Sequence, residues 1–360
     1  METFHCDTKI IAGRGGLGAL KEEVTGTLLI VTDPYFMKNG TASRLGNLSG
    51  ASRVEYFDKV APDPSVSLAA EGAALVRQVK PRTVLALGGG SALDCAKAMA
   101  YFSGEAVKLI AVPTTSGSGS EVTDFAILTH QGVKHALVDE KLLPQVAILD
   151  GSLLDSLPKG LIADTGFDVI SHAVEAYGAT GASGFSDGLA QSAFCTVYAH
   201  LFASFSGDTT VRQQIHEASC MAGMAFSQAG LGLCHALAHS LGGRYHLPHG
   251  RLNAILLPEV MTFNCAAVQE KYARLARLAG QSGTSNTVAA RGLISSLIKL
   301  RHRMGLPGSL KEAGIAREQL RADSQSLAKS VLEDACIKTN PVPVTGQDVR
   351  DILHRVSGYA

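Results

Sequence analysis

Asp168 and His172 stand four residues apart in Asp168-Val169-Ile170-Ser171-His172, so a helix there puts a carboxylate and an imidazole on one face. His235-Ala236-Leu237-Ala238-His239 repeats that spacing, and His249 follows ten residues later in Pro248-His249-Gly250. A carboxylate and three imidazoles from different elements suit Zn²⁺ or Fe²⁺, with exchangeable positions left for an alcohol oxygen. A histidine on an apolar helix is usually a hydrogen-bonded core residue, and an i, i+4 pair can arise by chance. Here His235, His239, His246 and His249 crowd one segment whose Ala, Leu and Gly neighbours offer few other partners, which favours a metal. Cys234 invites the same reading, but adjacent helix positions point about 100° apart, so it reads as a buried structural thiol.

A second chemistry is written in the first half. Asp33 follows the apolar run Leu28 to Thr32, where a carboxylate at a strand end can accept from both ribose hydroxyls and repel a 2′-phosphate. A turn aspartate before Pro34 is the plain alternative. Gly88-Gly89-Gly90-Ser91 follows the run Thr83 to Leu87 and opens a helical stretch, Ala92 to Ala100, with Asp94 one turn in. Backbone can approach a pyrophosphate at such a turn, although the spacing is not GxGxxG and a tight strand-to-helix turn explains it equally. Pro113-Thr114-Thr115-Ser116-Gly117-Ser118-Gly119-Ser120-Glu121 follows another apolar run and packs five hydroxyls and two glycines together. Two polar, glycine-bearing loops after core strands favour phosphate binding over a linker.

These residues need a scaffold, and the rest of the sequence supplies one. Leu28–Val31, Thr83–Leu87, Leu109–Val112 and Val146–Leu149 read as buried parallel strands, and Ser67 to Lys80 has helical spacing. Strand, helix, strand implies right-handed crossovers and an α/β, doubly wound parallel-sheet domain for dinucleotide binding over 1–157. After Pro158 the chain turns rich in Ala, Leu, Ser and His at helical periods, which predicts an all-helical metal-binding domain over 158–360. A cleft between the two is the default site.

Lys plus Arg and Asp plus Glu number 32 each, so charge gives no reason to expect nucleic acid or an anionic membrane as partner. No apolar run approaches 18 residues, and acidic residues stand where a signal peptide needs basic ones. Seven cysteines without a CxxC pair suit reduced thiols. A cytoplasmic protein is the expectation.

With these motifs in view, the sequence resembles the iron-containing (group III) alcohol dehydrogenase family along nearly its whole length. The matching residues are Gly88-Gly89-Gly90-Ser91 with Asp94 and Lys97, the Pro113 to Glu121 loop, Asp168 with His172, and GLCHALAHSLGGRYHLPHGRLNAILLP from 232 to 258. Met224 to Gly232 and His246-Leu247-Pro248-His249 look most like the 1-propanol dehydrogenases of propanediol-utilisation microcompartments. Ethanol dehydrogenases and lactaldehyde/1,2-propanediol oxidoreductases of the same family are the nearest competitors. A nonenzymatic NAD-binding microcompartment component is the alternative of another class, and the intact Asp/His set speaks against it.

The resemblance implies an NAD-dependent dehydrogenase of short-chain primary alcohols and aldehydes. It implies Asp168, His172, His235 and His249 as ligands of Fe²⁺, with Zn²⁺ as the alternative metal, and His239 as a proton relay. Asp33 corresponds to the residue that favours NAD. Asp63, Gly89, Gly90, Ser91, Asp94, Thr114, Thr115, Ser118 and Lys134 correspond to cofactor contacts, although Asp63 stands where many members carry Asn. The metal would serve as Lewis acid on the substrate oxygen while hydride passes to or from the nicotinamide. Phe125 replaces a polar Asn with which lactaldehyde-reducing members hold a second hydroxyl, so an unsubstituted alkyl chain is expected. Asn340-Pro341-Val342 lacks the arginine common after that Asn-Pro. A homodimer, with microcompartment shell or cargo proteins as partners, completes the expectation.

Overall fold

The computed structural model describes residues 4–359, which divide into two compact units. One is His5–Leu157; the other runs from Pro158 and includes Phe4. The first holds eight strands: β1 (Lys9–Ala12), β2 (Thr27–Thr32), β3 (Arg53–Phe57), β4 (Thr83–Gly88), β5 (Lys108–Pro113), β6 (Phe125–His130), β7 (Val133–Val138) and β8 (Val146–Leu149). Six of them form a sheet in the order β1-β8-β5-β4-β2-β3, every pairing parallel. The middle strands are buried along almost their whole length, which is why they read as unbroken apolar runs and not as alternating ones.

The chain steps outward from β2 to β3, then crosses back to place β4 on the other side of β2. That reversal leaves the carboxyl ends of β2 and β4 side by side, the place where open α/β sheets bind nucleotides. The helix before β4, Val66–Val79, begins where Ser65 Oγ accepts from the Leu68 amide at 3.1 Å. It packs Ala69, Ala73 and Val76 inward. The helix after β4 spans Gly90–Ser103, two residues earlier than the apolar pattern suggests, because the glycine turn itself enters the helix.

The sequence reading contains neither edge strand, β1 nor β3, nor the antiparallel β6–β7 hairpin. The edge strands are short and partly exposed, without an apolar run. The hairpin turns at Gln131 and Gly132, both with positive φ (50° and 77°), a pair suited to a type I′ turn.

From Pro158 onward every element is helical among the described residues. Lys159–Gly178 is buried from Ile162 almost without interruption to its end, so it lies inside this unit and not on its surface. Its neighbours include Gly184–Ser206, Arg212–Ala229 and the long helix His249–Leu278. The close approach of Lys159–Gly178 and His249–Leu278 depends on Gly250, since a Cβ there would run into the Asp164 backbone carbonyl. Pro258 sits inside the His249–Leu278 helix and has no amide to offer the Ala254 carbonyl. Arg301, from the helix Asn286–Arg303, supplies the missing donor through Nη1 at 3.1 Å. No helix of the described residues is long and apolar enough to cross a membrane.

Candidate active site

In the second unit the four ligand candidates converge. Asp168 and His172 share one face of the Lys159–Gly178 helix, His235 lies in the first turn of Leu233–Tyr245, and His249 opens His249–Leu278. Asp168 Oδ1 is 3.9 Å from His172 Nε2, 3.8 Å from His235 Nε2 and 3.4 Å from His249 Nε2. Donors about 2.1 Å from a tetrahedral metal lie roughly 3.4 Å apart. Asp168, His235 and His249 bring their donor atoms within 4.8 Å of one another and can share one divalent ion, while His172 flanks this trio, 3.9 Å from the Asp168 oxygen. The rings of His172 and His235 stack at 4.5 Å, and Phe226 covers the other side of His172 at 4.4 Å.

The charge state of the cluster suits a cation. Burial pushes the Asp168 carboxyl up, but His172, His249 and His235 around it outweigh burial and hold it well below the usual carboxylate range. Burial, reinforced by His239, His235 and His172, pushes His249 well down against the pull of Asp168 and keeps it neutral. His235 is lowered by burial yet raised more by Asp168 and Glu175, to about 9, so without a cation a proton occupies this ring. Cys234 is fully buried, its thiol is pushed well up by burial, and its sulfur faces Asn253 at 3.5 Å.

His239 lies one helical turn beyond His235, its ring stacked on His249 at 5.2 Å. Its Nδ1 is 2.9 Å from Asp334 Oδ2. Burial pushes Asp334 up, but the His239 hydrogen bond and charge and the Cys336 amide hold its carboxyl down at about 2. An ionised Asp334 accepts from Nδ1–H and leaves His239 Nε2 outside that bond.

Thr114 N–H donates to the Gly88 carbonyl at 2.9 Å, tying the glycine turn to the hydroxyl-rich loop. Cβ atoms added at Gly89 and Gly90 would lie 3.3 Å from Thr115 Oγ1 and 3.0 Å from Ser118 Cβ, so the loops meet closely with Ser91 just inside the helix. No side chain caps this helix, and its first amides are left to a ligand or water. Asp33 Oδ1 accepts from the amides of Tyr35 and Phe36 at 2.9 and 3.2 Å. Its Oδ2 points toward Gly88, about 4.0 Å from where a Cβ there would be. The turn thus engages one oxygen of the carboxylate and leaves the other outside it.

Asp94, expected as a cofactor contact, has both carboxylate oxygens engaged within the protein. It is buried, with Oδ1 accepting from Ser120 Oγ at 2.5 Å and Oδ2 from the Ile127 amide at 3.0 Å. A carboxyl pushed up by burial needs such partners, and here they pin the loop and β6 to the helix. Lys97 does the same from the next turn, donating to the Thr123 and Phe125 carbonyls, both at 2.8 Å. Burial brings its ammonium down to about 8. Phe125 thus heads β6 with the Lys97 ammonium 5.8 Å from its ring centre. Asp63, in the left-handed region (φ 55°), pairs with Lys134 at 2.6 Å, so two expected cofactor contacts touch one another.

Four residues around the histidines have no role assigned to them by the sequence: Glu175, Asn253, Asp334 and Asn340. Glu175 and Asn253 were within reach of it: Glu175 is seven residues beyond Asp168 and Asn253 four beyond His249, both on ligand-bearing faces. Asp334 and Asn340 were not, since they meet their partners across roughly a hundred residues. Asn340 Oδ1 caps the Leu233 amide at 3.1 Å and exchanges two hydrogen bonds with Asn264, which accounts for the Asn of Asn340-Pro341. Nothing here explains the absent arginine.

Residues 7–151 match the iron-containing alcohol dehydrogenase family and residues 162–357 match the C-terminal part of the Fe-containing alcohol dehydrogenase family. The chain is 37% identical to the 1-propanol dehydrogenase PduQ of Salmonella typhimurium, over 99% of this chain and 100% of that protein. It is 36% identical to an NADPH-dependent butanol dehydrogenase of Clostridium saccharobutylicum, over 99% and 98%. The sulfoacetaldehyde reductase of Bifidobacterium kashiwanohense, solved in complex with NAD⁺, superposes with a TM-score of 0.90 at 26% identity, covering 100% of both chains. With both halves matched in order and the length shared from end to end, the chain belongs to the iron-containing alcohol dehydrogenases and is an NAD-dependent oxidoreductase.

Proposed function

We propose that the chain reduces a short unsubstituted aldehyde, propionaldehyde foremost, to its primary alcohol with NADH, and runs the reverse oxidation. The observation that carries this reading is the convergence of three ring nitrogens on one Asp168 oxygen, within 3.4–3.9 Å. Divalent iron held by Asp168, His172, His235 and His249 supplies a Lewis acid for the substrate oxygen. His239 holds its proton-exchange atom, Nε2, in place through Asp334. Gly89, Gly90, Ser91, Thr114, Thr115 and Ser118 hold the dinucleotide, with Asp63 and Lys134 as an adjoining charged pair. Likeness to propanol dehydrogenases in the Met224 to His249 stretch supports the substrate, and supports a homodimer in the cytoplasm, housed in a bacterial microcompartment.

Phe125 decides between propionaldehyde and lactaldehyde. A hydroxyl stripped of water and left beside a ring costs about 1–3 kcal/mol, so propionaldehyde should be preferred by roughly 10-fold or more in kcat/KM. Phe125→Asn should narrow the gap. Anaerobic assays with Fe²⁺ present compare both aldehydes; equal or better turnover of lactaldehyde by the wild type would move the enzyme to the propanediol oxidoreductases.

Asp33 governs the nucleotide. Asp33→Gly should lower the KM for NADPH and weaken NADH, shifting the preference by about 2 kcal/mol through removal of a like-charge clash. The short helix after it should survive, because replacing an N-cap by glycine costs only a few tenths of a kcal/mol. An unchanged NADH to NADPH ratio in steady-state assays would show that another group reads the ribose.

A further inference from the structure

Glu175 is buried on the face of the Lys159–Gly178 helix that carries Asp168 and His172. Three donors meet its two oxygens. Oε1 accepts from the Cys234 amide at 2.7 Å, and Oε2 accepts from the His235 amide at 3.2 Å and faces His235 Nδ1 at 2.5 Å. The first two are amides that the start of the Leu233–Tyr245 helix leaves without intrahelical partners. The third is on the ring whose other nitrogen faces Asp168. Gly232 makes room for this arrangement: a Cβ there would lie 2.8 Å from Glu175 Oε1 and 2.8 Å from Asn340 Oδ1.

We infer that Glu175 is a positioning residue for the metal: it holds His235 in the Nδ1–H form, so that the Nε2 lone pair is the one presented beside Asp168 and His249. The inference rests on the metal reading of that cluster. An ionised carboxylate can only accept, so the ring nitrogen facing it must donate, and the remaining nitrogen keeps its lone pair for a cation. The Asn253 amide points the same way, with Nδ2 donating to Asp168 Oδ1 at 2.8 Å and lying 3.3 Å from His235 Nε2 and 3.2 Å from His249 Nε2. The same carboxylate fixes the helix start that carries His235, so ring orientation and helix position are set together. One helix thereby contributes two ligands and the alignment of a third.

Glu175→Gln tests this. A carboxamide has one accepting oxygen where three donors converge, so its NH₂ must meet one of them. Facing the ring, it moves the His235 proton to Nε2, into the position a metal would take. The full-length chain, stripped with a chelator, is titrated with Co²⁺ and read by its visible d–d absorption. Glu175→Gln should bind Co²⁺ about 10–100-fold more weakly, the usual loss when a partner behind a ligand is changed. Asn340→Ala removes a cap at the same helix start without touching the ring; it should lower the melting temperature and leave Co²⁺ affinity unchanged. A folded Glu175→Gln protein that binds Co²⁺ like the wild type overturns the inference, whatever its melting temperature. Should Glu175→Gln fail to fold, histidine-ring NMR of the Zn²⁺-loaded wild type decides: His235 must appear as Nδ1–H, and an Nε2–H ring overturns the proposal. A wild type that binds neither Co²⁺ nor Zn²⁺ fails the metal reading itself, a different result from equal binding by the two proteins.

Discussion

Asp168→Ala should emerge from purification without bound metal and with turnover reduced in proportion. The carboxylate is the hub of the cluster: three ring nitrogens lie within 3.4–3.9 Å of a single oxygen, and the Asn253 amide donates to that same oxygen at 2.8 Å. Removing it takes away a carboxylate that both His172 and His249 face. Changing a residue behind a ligand costs about 10–100-fold in metal affinity, and loss of the ligand should exceed that range. The same holds for His172→Ala, His235→Ala and His249→Ala. Metal per chain after dialysis, measured beside NADH oxidation with propionaldehyde, checks each one. Full occupancy in any of the four variants would remove that residue from the ligand set.

His239→Ala should behave in the opposite way, keeping its metal and losing rate. Its Nδ1 is committed to Asp334, which leaves Nε2 for proton exchange. A positioned proton-transfer group contributes about 10²–10⁴-fold to a reaction rate, so kcat should fall within that range. Metal analysis of the purified variant and partial rescue of kcat by added imidazole are the measurements. Loss of the metal together with the rate would make His239 a ligand. An unchanged rate would make it a bystander.

How much of this was legible in the sequence depends on distance along the chain. Asp168 with His172, and His235 with His239, are helical neighbours, so spacing alone shows that each pair shares a face. The central strands were legible because burial on both sides leaves an unbroken apolar run; edge strands β1 and β3 lack that burial and therefore the signal. The glycine turn after β4 and the Pro113 to Glu121 loop were readable separately. Their contact was not, because the parallel pairing of Gly88 with Pro113 is a long-range register that no local pattern encodes. Asp94 marks a similar limit: its place in the motif is local, whereas its hydrogen-bond partners Ser120 and Ile127 lie 26 and 33 residues on. Glu175 was visible by periodicity, but its partner amides lie about sixty residues on, and only the folded chain brings them together.

The bond from Arg301 to the Ala254 carbonyl ties two positions more tightly than their contact suggests. Proline at 258 is tolerable in a helix interior only while a guanidinium takes over the acceptor it orphans. If the arginine went first, the carbonyl of the buried Ala254 would be stranded at a cost of about 1–3 kcal/mol. If the proline went first, the new amide at 258 could claim the Ala254 carbonyl for the helix, and the arginine would become dispensable. The order of substitution therefore matters: one path between the two pairs crosses a destabilised intermediate and the other does not. Drift along this helix, which begins at His249 of the histidine cluster, is channelled by a history that neither position records alone.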